Sequence, residues 1–286
     1  MSSHWTYTPN CRVPEGQHLP EGVRRFAAAL EYDGSRFCGW QTQKHSPSVQ
    51  AEVNRALSRV ADQNILTVCA GRTDTGVHAT NQIVHFDTTA TRNPVNWLKG
   101  ANSGLPNGIR FHQVCEVPAQ FHARFSAVSR TYRYIIDNRP VKPAILANAV
   151  TWYRQPLKEA HMHQAAQQLL GEQDFSAFRA TGCQSDSPFR NVLAAKVWRQ
   201  GQLVIFEITA NAFLYHMVRN LVGALLAVGR GQLSIVGFAD LLASRDRTIA
   251  PATATADGLY LVAVSYSETN PFFKTLQKGP EFIFAD

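Results

Sequence analysis

The sequence predicts an α+β fold with a mostly antiparallel sheet, and three observations support this prediction. The chain has 286 residues, about the size at which a single hydrophobic core stops growing, so we expect two domains. Segments with strand and helix periodicity are mixed in both halves without a regular strand–helix–strand rhythm. In the second half, residues 192–199 and 203–210 flank Gln200-Gly201, a pattern typical of an antiparallel β-hairpin.

The first half opens with residues 1–22, which are polar, rich in Pro and Gly and without a period, so we expect a mobile N-terminal extension. An apolar strand follows at residues 26–32, and then a glycine-rich loop at 33–41. Ser46 precedes Pro47, which predicts an N-cap and a first helical residue. Two strands follow at residues 65–70 and 82–87. A helix opened by Asn93-Pro94 and a last strand at 109–117 complete this half.

The second half repeats this mixture. It contains a β-rich segment at 131–137, a helix at 157–170 ended by Gly171, and the hairpin at 192–210. A long apolar helix at 213–228 and a strand apolar on both faces at 259–266 follow. We therefore expect an N-terminal domain over residues 23–120 and a C-terminal domain over residues 121–286.

Composition limits the classes of function. The chain has 28 Lys and Arg against 21 Asp and Glu, a formal charge of +7, which favours a polyanionic partner, nucleic acid first, although many basic enzymes bind no nucleic acid. The longest apolar run, residues 221–229, is far shorter than the roughly 20 residues of a membrane span. The five cysteines are widely spaced and form no C-x-x-C, which predicts neither disulfides nor a zinc site and favours the cytoplasm.

The segment GRTDTGVHA at residues 71–79 lies between two predicted strands. Its glycines allow a sharp turn and close approach of another backbone, and between them lie the guanidinium of Arg72 and the carboxylate of Asp74. A polar turn in which Asp74 bonds its own backbone explains the spacing equally well. A phosphate loop is excluded because Val77 stands where the lysine is needed, and no metal site is predicted.

Arg219 is the one charge well inside the apolar helix predicted at residues 213–228. A helix that is apolar almost all round is buried, and a buried arginine needs an anionic partner. Asp74 is the best candidate, since arginine binds carboxylates with two parallel hydrogen bonds. Alternatively, Arg219 lies at a helix edge and extends its charged end into water.

Residues 121–142 are strongly basic, with five Lys and Arg against the single acid Asp137, and aromatic residues are interleaved with them. Basic groups follow phosphates and aromatic rings stack on bases, so this stretch predicts RNA contacts. A half-exposed strand with a solvated basic side explains it as well. The candidate RNA-binding residues are Arg124, Arg130 and Arg133.

Several of these segments together resemble one known family. The segment at 71–79, followed by Gln82 and Phe86, closely resembles the signature loop of the tRNA pseudouridine synthase A family. Three later segments agree in order and spacing: FHARFS leading into TYRY, NAFLYHMVRN at 211–220, and the segment at 253–264. Asn81 departs from the family pattern, which usually has glycine there, and asparagine tolerates the left-handed conformation that such a turn would need.

This resemblance implies a fold of two α/β halves with joined sheets and a basic active-site cleft between them. It implies conversion of uridine to pseudouridine at positions 38, 39 and 40 in the anticodon stem-loop of several tRNAs, by a homodimer without a cofactor. Asp74 falls on the essential, nucleophilic aspartate and Arg219 on its arginine partner. Tyr132 falls on the tyrosine that stacks on the target uracil, and Arg72 on an arginine implicated in base flipping.

Two other functions compete with this one. A non-catalytic RNA-binding protein would share the basic stretch but would not need Asp74, Tyr132 and Arg219 together. A nucleoside-processing hydrolase of the glycosidase type would need a second carboxylate close to Asp74, and the sequence has none between Asp74 and Asp87.

Overall fold

The computed structural model describes residues 6–267, which form ten strands and five α-helices. The α+β class with a mostly antiparallel sheet is confirmed. These residues divide into two compact units, 6–128 with 263–267 and 129–262. No helix within the described range is both long and apolar enough to cross a membrane.

The first unit is a sheet backed by two helices. Its strands are β1 (Arg24–Tyr32), β2 (Val68–Cys69), β3 (His78–Thr88) and β4 (Ile109–Val117), and its helices are α1 (Val49–Ala61) and α2 (Pro94–Gly104). The order is β4-β1-β3 with β2 beside β3, and every one of these pairings is antiparallel. The central strand β1 is buried, and Trp97 of α2 packs on Phe26 and Phe86 with ring centroids 5.7 and 5.1 Å away.

The start of α1 differs from the prediction by two residues. Ser48, not Ser46, is the N-cap, and its hydroxyl accepts from the backbone N–H of Ala51. Pro47 lies outside the helix because its carbonyl is used elsewhere, accepting from the backbone N–H of Cys38 at 2.8 Å. The asparagine–proline start of α2 is confirmed, with Asn93 as N-cap.

Part of the N-terminal extension, residues 7–13, contacts the first unit, while residues 1–5 lie outside the described residues and the mobility of the extension stays a prediction. The buried carboxylate of Asp87 accepts from the hydroxyl of Tyr7 at 3.1 Å and the backbone N–H of Asn10 at 2.8 Å. The side chain of Val13 is buried. A buried carboxylate needs several donors, and this polar segment supplies two of them.

The second unit is also a sheet with helices. Its elements are β5 (Ala127–Asp137), β6 (Thr151–Trp152), α3 (Glu159–Gln167), β7 (Gly171–Asp174), β8 (Phe189–Gln200), β9 (Leu203–Ala210), α4 (Met217–Gly229), α5 (Ile235–Ser244) and β10 (Leu259–Tyr266). The order is β5-β9-β8-β7, all antiparallel, with β6 parallel to β5. The predicted hairpin is confirmed. The unit boundary falls inside β10, after residue 262.

Three helices of this unit differ from the sequence interpretation. Helix α3 is shorter than predicted, and α5, capped by Ser234, was not predicted at all. Helix α4 is buried as expected but begins four residues late, at Met217. The reason is His216, which has a left-handed backbone (φ +56°) that a helix interior does not accept.

Candidate active site

Asp74 lies half-buried in the loop between β2 and β3. The turn closes on itself, since the backbone N–H of Val77 donates to the carbonyl of Asp74 at 3.1 Å and Gly76 has φ +81°. The residue before Asp74 is held by a second loop. The carbonyl of Thr73 accepts from the backbone N–H of Trp40 at 3.0 Å, and its hydroxyl lies 2.8 Å from that of Tyr32. Asp74 is therefore carried on a turn with few ways to move.

The supporting loop, residues 33–40, approaches the Asp74 loop backbone to backbone. A Cβ atom on Gly39 would lie 2.8 Å from the carbonyl oxygen of Thr73, and one on Gly34 would lie 1.9 Å from that of Val77. Gly39 also has φ +85°. Only glycine satisfies both conditions. Trp40, whose role the sequence left open, is a core anchor with 1% of its surface exposed.

Gln82 closes the base of the Asp74 loop. Its side-chain amide donates to the carbonyl of Gly71 at 2.7 Å and to the hydroxyl of Tyr32 at 3.3 Å. Asn81, the departure from the family pattern, lies within β3, and its φ is not positive. The backbone at residue 81 therefore does not need the left-handed conformation that glycine favours, and asparagine is accommodated without strain. Arg72, predicted to act in base flipping, is exposed on the same loop.

In the second unit, Tyr132 lies on β5 and is 9% exposed. Its ring meets the ring of Phe213 edge to face, with centroids 4.9 Å apart. This contact orients the plane of the tyrosine ring, and the predicted stacking on a base stays a prediction. Its neighbour Tyr134 is a core residue, hydrogen-bonded to Thr151.

Arg219 lies in the first turn of α4 and is half-buried. The sequence interpretation had placed it deeper in the helix. Its Nε donates to the carbonyl of Ala254 at 2.8 Å, and one Nη lies 3.4 Å from the Nε2 of His216. A cation in the first turn is disfavoured by the helix dipole, so this position is consistent with an anionic partner. Asp74 belongs to the other unit, and its pairing with Arg219 stays a prediction.

The candidate RNA-binding residues have different surroundings. Arg133 forms an ion pair with Glu207, at 2.6 Å, and lies over the ring of Trp198, so its charge is compensated within the unit. Arg130 donates to the carbonyl of Asn211. Arg124 is exposed and lies over the ring of Phe125, 5.5 Å from its centroid.

Arg124 and Phe125 are presented by a turn that depends on two neutral histidines. The Nδ1 of His122 accepts the backbone N–H groups of Arg124 and Phe125, at 3.2 and 3.1 Å. The Nδ1 of His85 accepts that of Ala123 at 3.1 Å. The ring centroids of the two imidazoles lie 4.6 Å apart. The ring of Phe125, which is 57% exposed, stacks on His122. A proton on either Nδ1 would break the turn, because an N–H would then face an N–H.

We expect the stability of the first unit to fall in mild acid. Burial, helped by the charge of Arg25, lowers the pKa of His85 to about 3 and that of His122 to about 4. The unfolded chain takes up these protons near pH 6.5, so below that pH the free energy of unfolding should decrease, by up to about 1.4 kcal/mol per pH unit for His85. Urea unfolding at pH 7, 6 and 5 measures this.

The variant His85→Asn should make this pH dependence shallower, because its amide oxygen can accept the Ala123 N–H without titrating and only the contribution of His122 remains. The exposed His18 offers the control, and His18→Gln should leave the dependence as in the wild type. An equally steep decrease in wild type and His85→Asn would contradict the assignment to His85.

Among residues 6–267, no group of three or more His, Cys, Asp or Glu side chains is arranged to hold a metal ion. Asp74, Arg72 and Arg124 lie in the first unit, and Tyr132, Arg130, Arg133 and Arg219 in the second. What these residues offer chemically is one carboxylate on a braced turn, one oriented aromatic ring and several guanidinium groups.

The family model and the curated relatives that match this chain identify one family. The family model described as tRNA pseudouridine synthase matches residues 28–126 and 165–267. Relatives from Salmonella paratyphi B and Salmonella newport, each named tRNA pseudouridine synthase A, are 54% identical over 261 residues, which covers 91% of this chain and 96% of theirs. A crystal structure of the archaeal box H/ACA sRNP Nop10-Cbf5 complex is only distantly similar, with 13% identity and a TM-score of 0.34 over 71% of this chain and 44% of that one. The chain belongs to the tRNA pseudouridine synthase family and is an isomerase that modifies tRNA.

Proposed function

We propose that this enzyme converts uridine to pseudouridine at positions 38, 39 and 40 in the anticodon stem-loop of several tRNAs, with Asp74 as the essential group. The observation that carries the proposal is the braced turn at Asp74. Gly34 and Gly39 allow the close approach of the supporting loop, and Tyr32, Trp40, Val77 and Gln82 hold the turn by hydrogen bonds, so that the Asp74 carboxylate stays half-exposed. The chain also matches the synthase family along most of its length.

The reaction rearranges bonds without changing oxidation state. The bond between C1′ of the ribose and N1 of uracil breaks, the uracil rotates, and C1′ forms a bond to C5. The proton on C5 leaves to solvent and N1 takes one up. A carboxylate can attack C1′ or stabilise the positive charge that develops there, and this is the role we assign to Asp74.

The other residues serve the base and the carboxylate. A base in a stem must leave its stack before it can react, at a cost of a few kcal/mol. We assign Arg72 to this step, and Tyr132 to stacking on the flipped uracil. Arg219 would keep Asp74 ionised. Arg124 on its exposed turn would contact the RNA backbone. Arg130 and Arg133 of the second unit keep the same assignment, Arg133 while also paired with Glu207.

We further propose a cytoplasmic homodimer that needs no cofactor. The location rests on the five cysteines, all of them free. The dimer rests on the family resemblance, and sedimentation at working concentration tests it: a monomer there would overturn it.

Release of tritium from C5 of uridine tests the activity. The enzyme is incubated with tRNA transcripts carrying tritium at uridine C5, and the modified positions are mapped in the product. Release confined to positions 38–40, with intact RNA, supports the proposal. Release of free uracil would indicate a hydrolase instead, and binding without release would indicate a non-catalytic RNA-binding protein.

We expect Arg219→Ala to lower tritium release at least about 100-fold, because Asp74 would lose its cation. The remaining activity should shift to higher pH, since a carboxyl without a neighbouring positive charge holds its proton more strongly. Arg230→Ala, at the exposed end of the same helix, is the control and should remain active with an unchanged pH profile. Full activity of Arg219→Ala would refute the pairing.

A further inference from the structure

The C-terminal unit has a cavity that is separate from Tyr132, Arg130, Arg133 and Arg219. This cavity of about 590 Å³ lies between the segment at 176–183 and the segment at 247–253. Two arginines, Arg179 and Arg247, line it together with the hydroxyl-bearing residues Ser176, Thr181, Thr248 and Thr253. No carboxylate is among its lining residues.

Arg179 is oriented by the loop that follows it. One of its terminal nitrogens, Nη2, donates to the carbonyls of Cys183 and Ser185, at 3.2 and 2.6 Å. Its Nε and its other Nη donate to no oxygen atom within residues 6–267, although the guanidinium also interacts with the Cys183 thiol. The guanidinium is therefore fixed in place on one side and has donors left on the other, which is favourable for bidentate binding of an oxyanion.

Arg247 is held in a similar way. Its two Nη atoms donate to the side chains of Asn220 and Thr253, at 3.2 and 3.0 Å, and to the carbonyls of Ala250 and Pro251. Its Nε makes no hydrogen bond within the described range. Because both guanidinium groups are already ordered, binding of an anion costs little further side-chain entropy.

The positive charge around this cavity is not compensated. A third guanidinium, that of Arg190, lies in the same loop and donates to the hydroxyl of Ser185. Arg190 is 8% exposed, and its buried Nε has no hydrogen-bond partner. Within the described part of the chain, Arg179, Arg190 and Arg247 form no ion pair with a carboxylate. The adjacent Asp246 is exposed and is occupied by the N–H and hydroxyl of Thr248.

The thiol of Cys183 is consistent with this positive environment. Burial alone would raise its pKa, but the backbone N–H groups of Tyr215 and Ser185 and the guanidinium of Arg179 outweigh burial and lower that pKa. Clustered cations without carboxylate partners are stabilised when an anion joins them.

We propose that this cavity, lined by Arg179, Arg247 and Thr181, binds a phosphodiester group of the tRNA backbone. The inference rests on the proposed function for the choice of RNA. A free phosphate ion offers the same chemistry, but the cavity is several times larger than one such ion and suits a segment of backbone. A contact of this kind positions the RNA without reading its sequence.

Salt-dependent tRNA binding tests the proposal. We expect Arg179→Gln and Arg247→Gln each to weaken binding about tenfold at 0.1 M salt and to reduce the slope of log affinity against log salt by about one. Arg230→Gln is the matched control, because Arg230 is exposed at the other end of α4, about 15 Å from Asn220. It should leave affinity and slope unchanged.

A second pair of variants covers the case in which loss of Arg179 unfolds its loop. Thr181 is exposed and makes no hydrogen bond within the described residues, so it can be replaced without disturbing the Arg179 contacts. Thr181→Asp places a negative charge at the cavity and should weaken tRNA binding at least tenfold. Thr181→Val, of similar shape and without charge, should change binding less than threefold.

The outcomes separate this inference from the proposed function. Tritium release by the wild type together with unchanged salt slopes in Arg179→Gln and Arg247→Gln would overturn the phosphate site alone. Calorimetric binding of inorganic phosphate that these variants abolish, with tRNA slopes unchanged, would overturn the assignment to RNA. Reduced slopes in Arg179→Gln and Arg247→Gln, with no tritium release by the wild type, would support the site and count against the synthase activity.

Discussion

The substitution Asp74→Asn should abolish tritium release, by at least about 10⁴-fold, and leave tRNA affinity within about threefold of the wild type. The amide has the shape of the carboxylate and can keep its place on the braced turn, but it cannot attack C1′ or stabilise positive charge there. The salt-dependent contacts with the RNA backbone do not involve this side chain, so binding is expected to persist.

The control for this substitution is Asp62→Asn. Asp62 is an exposed carboxylate of the same unit, at the end of α1, with φ +54°. Asparagine tolerates this left-handed conformation at least as well as aspartate, so the control removes one negative charge without strain and should remain fully active. An Asp74→Asn variant that releases tritium at a tenth of the wild-type rate or faster would show that Asp74 is not the essential group.

The largest effect on stability is expected at Arg25. This side chain is 1% exposed and forms a bidentate ion pair with Asp87, with N–O distances of 2.7 and 2.8 Å. Its other N–H groups donate to the carbonyls of Ala119, Phe121 and Cys11, at 2.7, 2.8 and 3.0 Å. All five donors of the guanidinium are therefore used, and they join β1, β3, the N-terminal segment and the turn that presents Arg124.

We expect Arg25→Met to lower the free energy of unfolding by about 3–5 kcal/mol, because Asp87 would be left as a buried charge without its main partner. At present the bonds and charge of Arg25 outweigh the effect of burial and keep the pKa of Asp87 below its usual value. Urea unfolding at pH 7 measures the loss.

The adjacent Arg24 is the matched control. It forms an exposed ion pair with Glu116, of a kind that contributes at most about 1 kcal/mol, so Arg24→Gln should change stability little. The double variant Arg25→Met with Asp87→Leu should be less destabilised than the sum of its single variants, since neither buried charge then remains. Equal losses in Arg24→Gln and Arg25→Met would contradict this account.

Patterns over short stretches of sequence predicted much of the fold. Strand β10 was predicted from its apolar run, and the hairpin was predicted from two strand-like runs separated by Gln200-Gly201. Both signals are contained in neighbouring residues. Helix α4 shows the limit. Its apolar periodicity continues back to Phe213, but the left-handed backbone at His216 starts the helix later and moves Arg219 into its first turn.

For the candidate site too, the sequence predicted residue types but not the long-range contacts that hold them. The residue types of the Asp74 loop, with the order of the later motifs, were sufficient to predict the family. They did not show that Gly34, Gly39, Tyr32 and Trp40 brace the loop, because these contacts join residues distant in sequence. Likewise, the basic stretch predicted Arg133 as an RNA contact, and only the pairing of β5 with β9 places it opposite Glu207.

By itself, then, the sequence determined the α+β class, the basic character and the family, since each depends on residue type and local order. Through the family resemblance it also nominated the candidate catalytic residues, whose roles stay predictions. Tertiary structure decided which polar groups have partners. It docked Tyr7 and Asn10 on Asp87 and gathered Arg179 and Arg247 around one cavity from positions far apart in the chain. The physical reason is that a buried charge or donor takes whatever partner the folded backbone brings within hydrogen-bond distance, and that partner has no fixed spacing in sequence.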